Sequence, residues 1–255
     1  MRALLAAAVA VSLTVVQDKV KEGAPNPEAV LKEFKEAYLK AGKSDPARVE
    51  AVRILGKAPH LKTLSALSQL LKGDGSGMEV AEVRVAAADT IGTFRDVRGA
   101  WSPVADVARL RDRKITTVRV ASARAVGRVG QREGLRVLQE LADDKPFELA
   151  REAVLGLGLI PDRSSVPLLI KLLREVERVP EDQVLGELPF GGWGVVGGSI
   201  VDDARAEQVQ RREVLLQRVL STLKGLTGQG LGTFKEYQKW WSSNSSSFKL
   251  SSEKR

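Results

Sequence analysis

The chain has 255 residues, 43% hydrophobic but only 5% aromatic, and a formal charge of +8 drawn from 40 basic and 32 acidic side chains. It has no cysteine, which excludes disulfides, thiolate metal sites and thiol nucleophiles, and its single histidine, His60, excludes multi-histidine metal centres and leaves one candidate for any Ser-His-Asp arrangement. The length suffices for one long core or two ordinary domains.

Met1-Arg2 forms a short positive head, and Ala3 to Val16 then runs without a charge. Residues 1–16 therefore read as an export signal, cleaved between about Val11 and Gln17, which predicts a periplasmic or extracellular protein. The competing reading is an N-terminal helix packed onto the fold. The apolar run is shorter than the roughly 17 to 25 residues of a spanning helix, so no transmembrane segment is expected.

Asn26-Pro27-Glu28 has the residues of a helix N-terminus, and Val30, Phe34, Ala37, Tyr38 and Ala41 recur at helical spacing until Gly42. Beyond it the chain copies itself. The blocks ARVEAVRILG, VRVAAADTIG, VRVASARAVG and LAREAVLGLG end at Gly56, Gly92, Gly127 and Gly158, which fall 36, 35 and 31 residues apart. Between them lie LKTLSALSQLL, WSPVADVARL, GLRVLQELA and SVPLLIKLL, each with helical periodicity. Four residues after each terminal glycine stand His60, Asp96, Gln131 and Asp162, placed to cap the next Leu-rich helix. A period in the thirties with two helices per unit predicts an all-α solenoid of stacked helix pairs over residues 17–179. The small residues Ala87, Ala88, Ser122, Ala123 and Ala153 and the terminal glycines would let neighbouring helices approach, with Ile91, Val126 and Leu157 filling the seam.

From Asn26 to Arg174 these blocks resemble HEAT repeats of the short bacterial, phycobilisome-lyase-like kind. The resemblance implies that the Val-Arg helix lines the concave surface and that its arginine pairs with a turn aspartate to form a ladder. Carried over, Arg84 and Arg119 would be the ladder arginines and Asp74 and Asp112 the aspartates. The next unit departs, because Ala150 stands in the arginine column.

Pro180 to Val201 is rich in glycine and apolar residues without helical spacing, so 180–205 reads as an insertion loop. It either folds back over the last repeats or anchors a partner through Phe190 and Trp193. Its GGWGVVGGS stretch lacks the GxxxxGK[ST] or GxGxxG setting of a phosphate loop. Helical spacing resumes at Val209, giving a C-terminal capping unit over 206–241 closed by Trp240 and Trp241, and the serine-rich stretch 242–255 is expected to be a disordered tail.

Twelve basic and five acidic residues lie between Arg84 and Arg136, which predicts a basic surface over the middle repeats. Arg53, Arg98, Arg124, Arg128 and Arg132 stand outside the predicted ladder and are taken as free to meet a partner. With no clustered nucleophile, base and metal ligands, the expected function is a non-catalytic scaffold that binds a protein partner and needs no cofactor. The alternative is a basic solenoid that binds nucleic acid or another anionic polymer; an export signal disfavours nucleic acid.

Overall fold

The computed structural model describes residues 25–73, 80–144, 147–178 and 198–251, with side chains of the last segment described from residue 209. Among these residues the regular structure is helical: α1 (Pro27–Ala41), α2 (Asp45–Ile54), α3 (Leu61–Lys72), α4 (Ala81–Ile91), α5 (Trp101–Ala108), α6 (Thr116–Val129), α7 (Leu135–Leu141), α8 (Phe147–Leu159), α9 (Ser165–Arg178), α10 (Gly198–Thr227) and α11 (Phe234–Asn244), with single 3-10 turns between some of them. The helix boundaries follow from local chemistry. Asn26 accepts a hydrogen bond from the Glu28 amide at 2.9 Å and Pro27 opens α1, while His60 caps α3 through Nδ1, with Thr63 returning the bond to the His60 amide.

The helices form five antiparallel pairs, from α1/α2 to α9/α10, and α11 closes the array against α9. The second helices α2, α4, α6, α8 and α10 pack directly on one another in sequence, whereas successive first helices touch less closely. This asymmetry puts the second helices on the inner, tighter side of the arc. Close packing there demands small residues. A Cβ on Gly127 would lie 2.6 Å from the Cα of Gly156, so α6 and α8 meet backbone to backbone. Ala88, Ala123, Ile91, Val126 and Leu157 are fully buried in one continuous apolar core that runs from Val30 to Leu250.

Several expectations need correction. Of the four turn residues, His60 and Asp162 cap as expected, Asp162 accepting from the Ser164 amide at 2.8 Å. Gln131 instead reaches back across the repeat, donating to the Val97 carbonyl at 2.7 Å and accepting from the Gly99 amide at 3.2 Å. Its longer amide bridges two turns where a shorter side chain caps one. Asp96 does not cap α5, whose N-cap position is Ala100.

Helix α10 starts at Gly198, so the loop expected to reach residue 205 stops short of it. The serine-rich end is ordered as far as it is described: α11 runs through Ser242 and Ser243 to Asn244, and Phe248 and Leu250 are buried, because Phe248 stacks edge-on against Trp240 and Trp241 at 5.5 and 5.4 Å. The predicted signal at 1–16, Asp74, and the loop residues Phe190 and Trp193 lie outside the described residues.

Candidate functional site

Three of the four repeated blocks carry an arginine at their second place, and its job is local. Arg84 donates Nε to the Leu71 carbonyl at 2.9 Å, and Arg119 does the same to Ala108 at 3.2 Å. Two further arginines, passed over in the sequence, act alike: Arg48 donates to the Gly42 carbonyl at 2.7 Å, and Arg212 to the Val176 and Glu177 carbonyls at 2.6 and 2.9 Å. Each guanidinium supplies a donor and a positive charge to the C-terminal end of the first helix in its own pair, where unpaired carbonyls carry the negative end of the helix dipole. Arg48 was visible as the second letter of ARVEAVRILG.

The ladder implied by the resemblance has one rung among the described residues, with a different aspartate. Arg119, almost fully buried, donates Nη2 to Asp144 of the next pair at 2.9 Å. Asp112 accepts from the Lys114 amide at 2.9 Å and caps the turn before α6 instead. It lies in the turn of Arg119's own pair, whereas Asp144 lies in the corresponding turn of the following one.

A second network crosses the inner face, and it overturns the expectation that Arg124, Arg128 and Arg132 are free. Arg124 on α6 reaches Asp89 on α4 at 3.7 Å and Glu152 on α8 at 3.2 Å, and Arg128 reaches Asp89 at 3.3 Å. Glu152, whose side chain is 6% exposed, also accepts from Arg151 at 2.8 Å. Burial by itself pushes the Glu152 carboxyl up, but the hydrogen bonds and charges of Arg151 and Arg124 outweigh it and hold its pKa below the ordinary glutamate value. Arg132 pairs with Asp162 at 3.1 Å in the turn ahead of α9. Three consecutive second helices are thus tied together by charge, and the excess of arginine in the middle repeats is largely spent within the molecule.

The remaining predicted partner-binding residues differ. Arg53 on α2 is exposed and, among the described residues, pairs with its neighbour Glu50 alone. Arg98 is exposed in the α4–α5 turn beside Trp101 and Glu133. Sequence reasoning missed the turn between α5 and α6, where Arg111, Arg113 and Lys114 are exposed and carry no ion pair among the described residues.

The inner face carries a cleft at each end. The cleft between α2 and α4, of about 510 Å³, is lined by Arg53, Lys57, Asp89 and Thr93. The cleft between α8 and α10, of about 290 Å³, is lined by Leu155, Leu159, Pro161, Ser221, Gly225 and Leu226. Among the described residues no helix is long and apolar enough to cross a membrane, and no three His, Cys, Asp or Glu side chains gather as metal ligands would.

No curated protein matches the chain. A family model described as HEAT repeats matches residues 106–181, from within α5 through α9, and the stacked pairs on either side continue the same architecture. The family match therefore identifies residues 106–181 as HEAT repeats, set within a longer all-α array of helix pairs whose second helices line the inner side.

Proposed function

We propose that the chain is a non-catalytic scaffold that presents the inner face of its second helices to a protein partner, and that it works outside the cytoplasm. HEAT repeats in general serve protein interaction. The observation that carries the reading here is the Asp89, Arg124, Glu152 and Arg151 network, which fixes α4, α6 and α8 into one preset surface, so a partner meets a site whose ordering cost is already met. The uncharged run Ala3 to Val16 supports export.

The test is affinity capture by the tagged mature chain from envelope and cytoplasmic fractions, with a charge-reversed inner face (Asp89→Arg with Arg53→Glu) as the control. A protein retained from the envelope fraction by the unaltered chain and lost by the control is the expected result. Equal retention by both overturns the inner-face reading. N-terminal sequencing that returns an intact Met1-Arg2 from the cytosol overturns the export reading.

A second reading is favoured by one observation, the exposed cations Arg111, Arg113 and Lys114 on the α5–α6 turn, which have no ion pair among the described residues. They are placed to meet an anionic polymer through Coulomb attraction that fades with salt. Retention on heparin at low salt that is lost in an Arg111→Gln, Arg113→Gln, Lys114→Gln variant is the result this reading expects.

A further inference from the structure

We propose that the cleft between α8 and α10 is a docking groove for a helical segment of a partner protein, one that carries a leucine-sized apolar anchor flanked by acidic residues. The proposal rests on the scaffold reading and gives its partner a chemistry. The apolar character is specific to this place in the repeat. Each groove between neighbouring second helices is built from equivalent positions: a Cβ on Gly56 would touch the methyl group of Thr90 at 3.2 Å, and a Cβ on Gly158 would touch that of Thr222 at 3.4 Å, so the two ends of the inner face are in register. In that register Leu155 replaces Arg53, Leu159 replaces Lys57 and Ser221 replaces Asp89. Every charge lining the α2/α4 groove is gone from the α8/α10 groove.

The groove is open to a ligand. Leu159 is 56% exposed, so its apolar side chain is within reach of a partner, and a side chain added at Gly225 would meet nothing within 4 Å. A volume of about 290 Å³ lies at the small end of ligand pockets and suits one or two side chains, not a cofactor.

The rim supplies the electrostatic half. Arg218 lies one turn before Ser221 and Thr222 on the same face of α10, Lys224 adjoins Gly225, and Arg163 follows Pro161 by two residues. Among the described residues none of the three has an ion-pair partner; Arg163 donates to the Ser245 carbonyl. Among the described residues the acids closest in sequence to the lining of α8 and the turn after it are already engaged, Glu152 by Arg124 and Arg151 and Asp162 by Arg132 and Ser164. The local field is therefore positive around an apolar floor, which selects an acidic segment with an apolar anchor over a basic one.

The experiment is fluorescence anisotropy of the full mature chain with a labelled helical peptide of about 15 residues, built from Glu, Ala and Gln with leucines at i, i+3 and i+7. Two control peptides replace its Glu by Lys, or its leucines by Ala. The acidic leucine peptide should bind, both controls should bind at least about tenfold more weakly, and Leu159→Glu and Gly225→Leu should each weaken binding by about tenfold, while Lys32→Gln, an exposed cation on α1, leaves it unchanged. Circular dichroism melts of the variants confirm that they are folded; Gly225→Leu fills open space, so it tests the groove even if Leu159→Glu unfolds. Absence of binding by the acidic leucine peptide, equal binding by either control peptide, or unchanged binding by Gly225→Leu each overturns the proposal. Capture separates it from the scaffold reading: a partner retained equally by the unaltered chain and by Gly225→Leu overturns the groove and leaves the scaffold standing.

Discussion

The middle and the ends of the inner face solve the same packing problem in different ways. Across α4, α6 and α8 the second helices are locked together, by Arg124 spanning Asp89 and Glu152 and by the bare backbone contact of Gly127 with Gly156. At either end, α2/α4 and α8/α10, the corresponding positions leave a cleft, charged at one end and apolar at the other. A repeat array thus divides labour without changing its fold: rigid where charges are satisfied internally, receptive where they are absent or exposed.

The comparison breaks most directly at the glycine contact. Gly127→Val places a branched side chain where the first carbon already lies 2.6 Å from the Gly156 Cα, and should cost about 3 kcal/mol, read as a fall in the urea midpoint. A change below about 1 kcal/mol would show that α6 and α8 separate at little cost, and that the middle is no more rigid than the ends.

Next in size is Glu152→Gln, which takes the carboxylate away from Arg151 and leaves Arg124 only its longer contact with Asp89, and should cost about 2 kcal/mol at pH 7. That is less than the ~3 to 5 of a fully buried pair, because both arginines keep some contact with water. The pH dependence sharpens the point. The folded-state pKa of Glu152 lies below its ordinary value of 4.5, so its contribution is fully present above that value and is lost as pH falls through the depressed folded value. The stability gap between the native chain and Glu152→Gln should therefore hold from pH 7 to about 5 and close below about 4.5.

Arg84→Met removes one helix-terminal donor while keeping an apolar stem, and should cost about 1 kcal/mol, measured in the same denaturant series. The smallest change in stability belongs to the exposed end. Arg53→Leu with Lys57→Leu gives the α2/α4 groove the two leucines of its counterpart while keeping Asp89, and removes only surface pairs, with Glu50 and Glu33, so stability should move by less than about 1 kcal/mol. Binding of an apolar dye should rise nonetheless, because the groove has become more apolar.

What the sequence disclosed was whatever depends on position within one repeat. The block-ending glycines, the buried Ala88 and Ala123, the cap at Asn26 and the arginine column at Arg84 and Arg119 are all set by helical periodicity, which is written in a single chain segment. The partners of those arginines depend on how far one helix is shifted along its neighbour, and no local pattern encodes that shift. Asp144 rather than Asp112 meets Arg119 for this reason, and Arg128 turns back to Asp89 while Arg124 also reaches forward to Glu152. Arg212 escaped notice because it stands one turn earlier in α10 than Arg84 does in α4, when both are counted back from the threonines that meet Gly158 and Gly56. The buried Phe248 and Leu250 were hidden by the serines around them, whose composition says nothing about the aromatic pair waiting on α11.

The arginines that hold each pair's helices together also bear on how the chain assembles itself. Arg48, Arg84 and Arg119 join residues 6, 13 and 11 positions apart, so each of those helical hairpins can close within itself before any neighbour docks. In the last pair the same link spans 36 positions, from Arg212 to Val176. Closing a loop about three times as long costs roughly 1 kcal/mol more in chain entropy. The first three pairs can therefore form early and template the rest, and the final pair, which supplies one wall of the apolar groove, completes the molecule last.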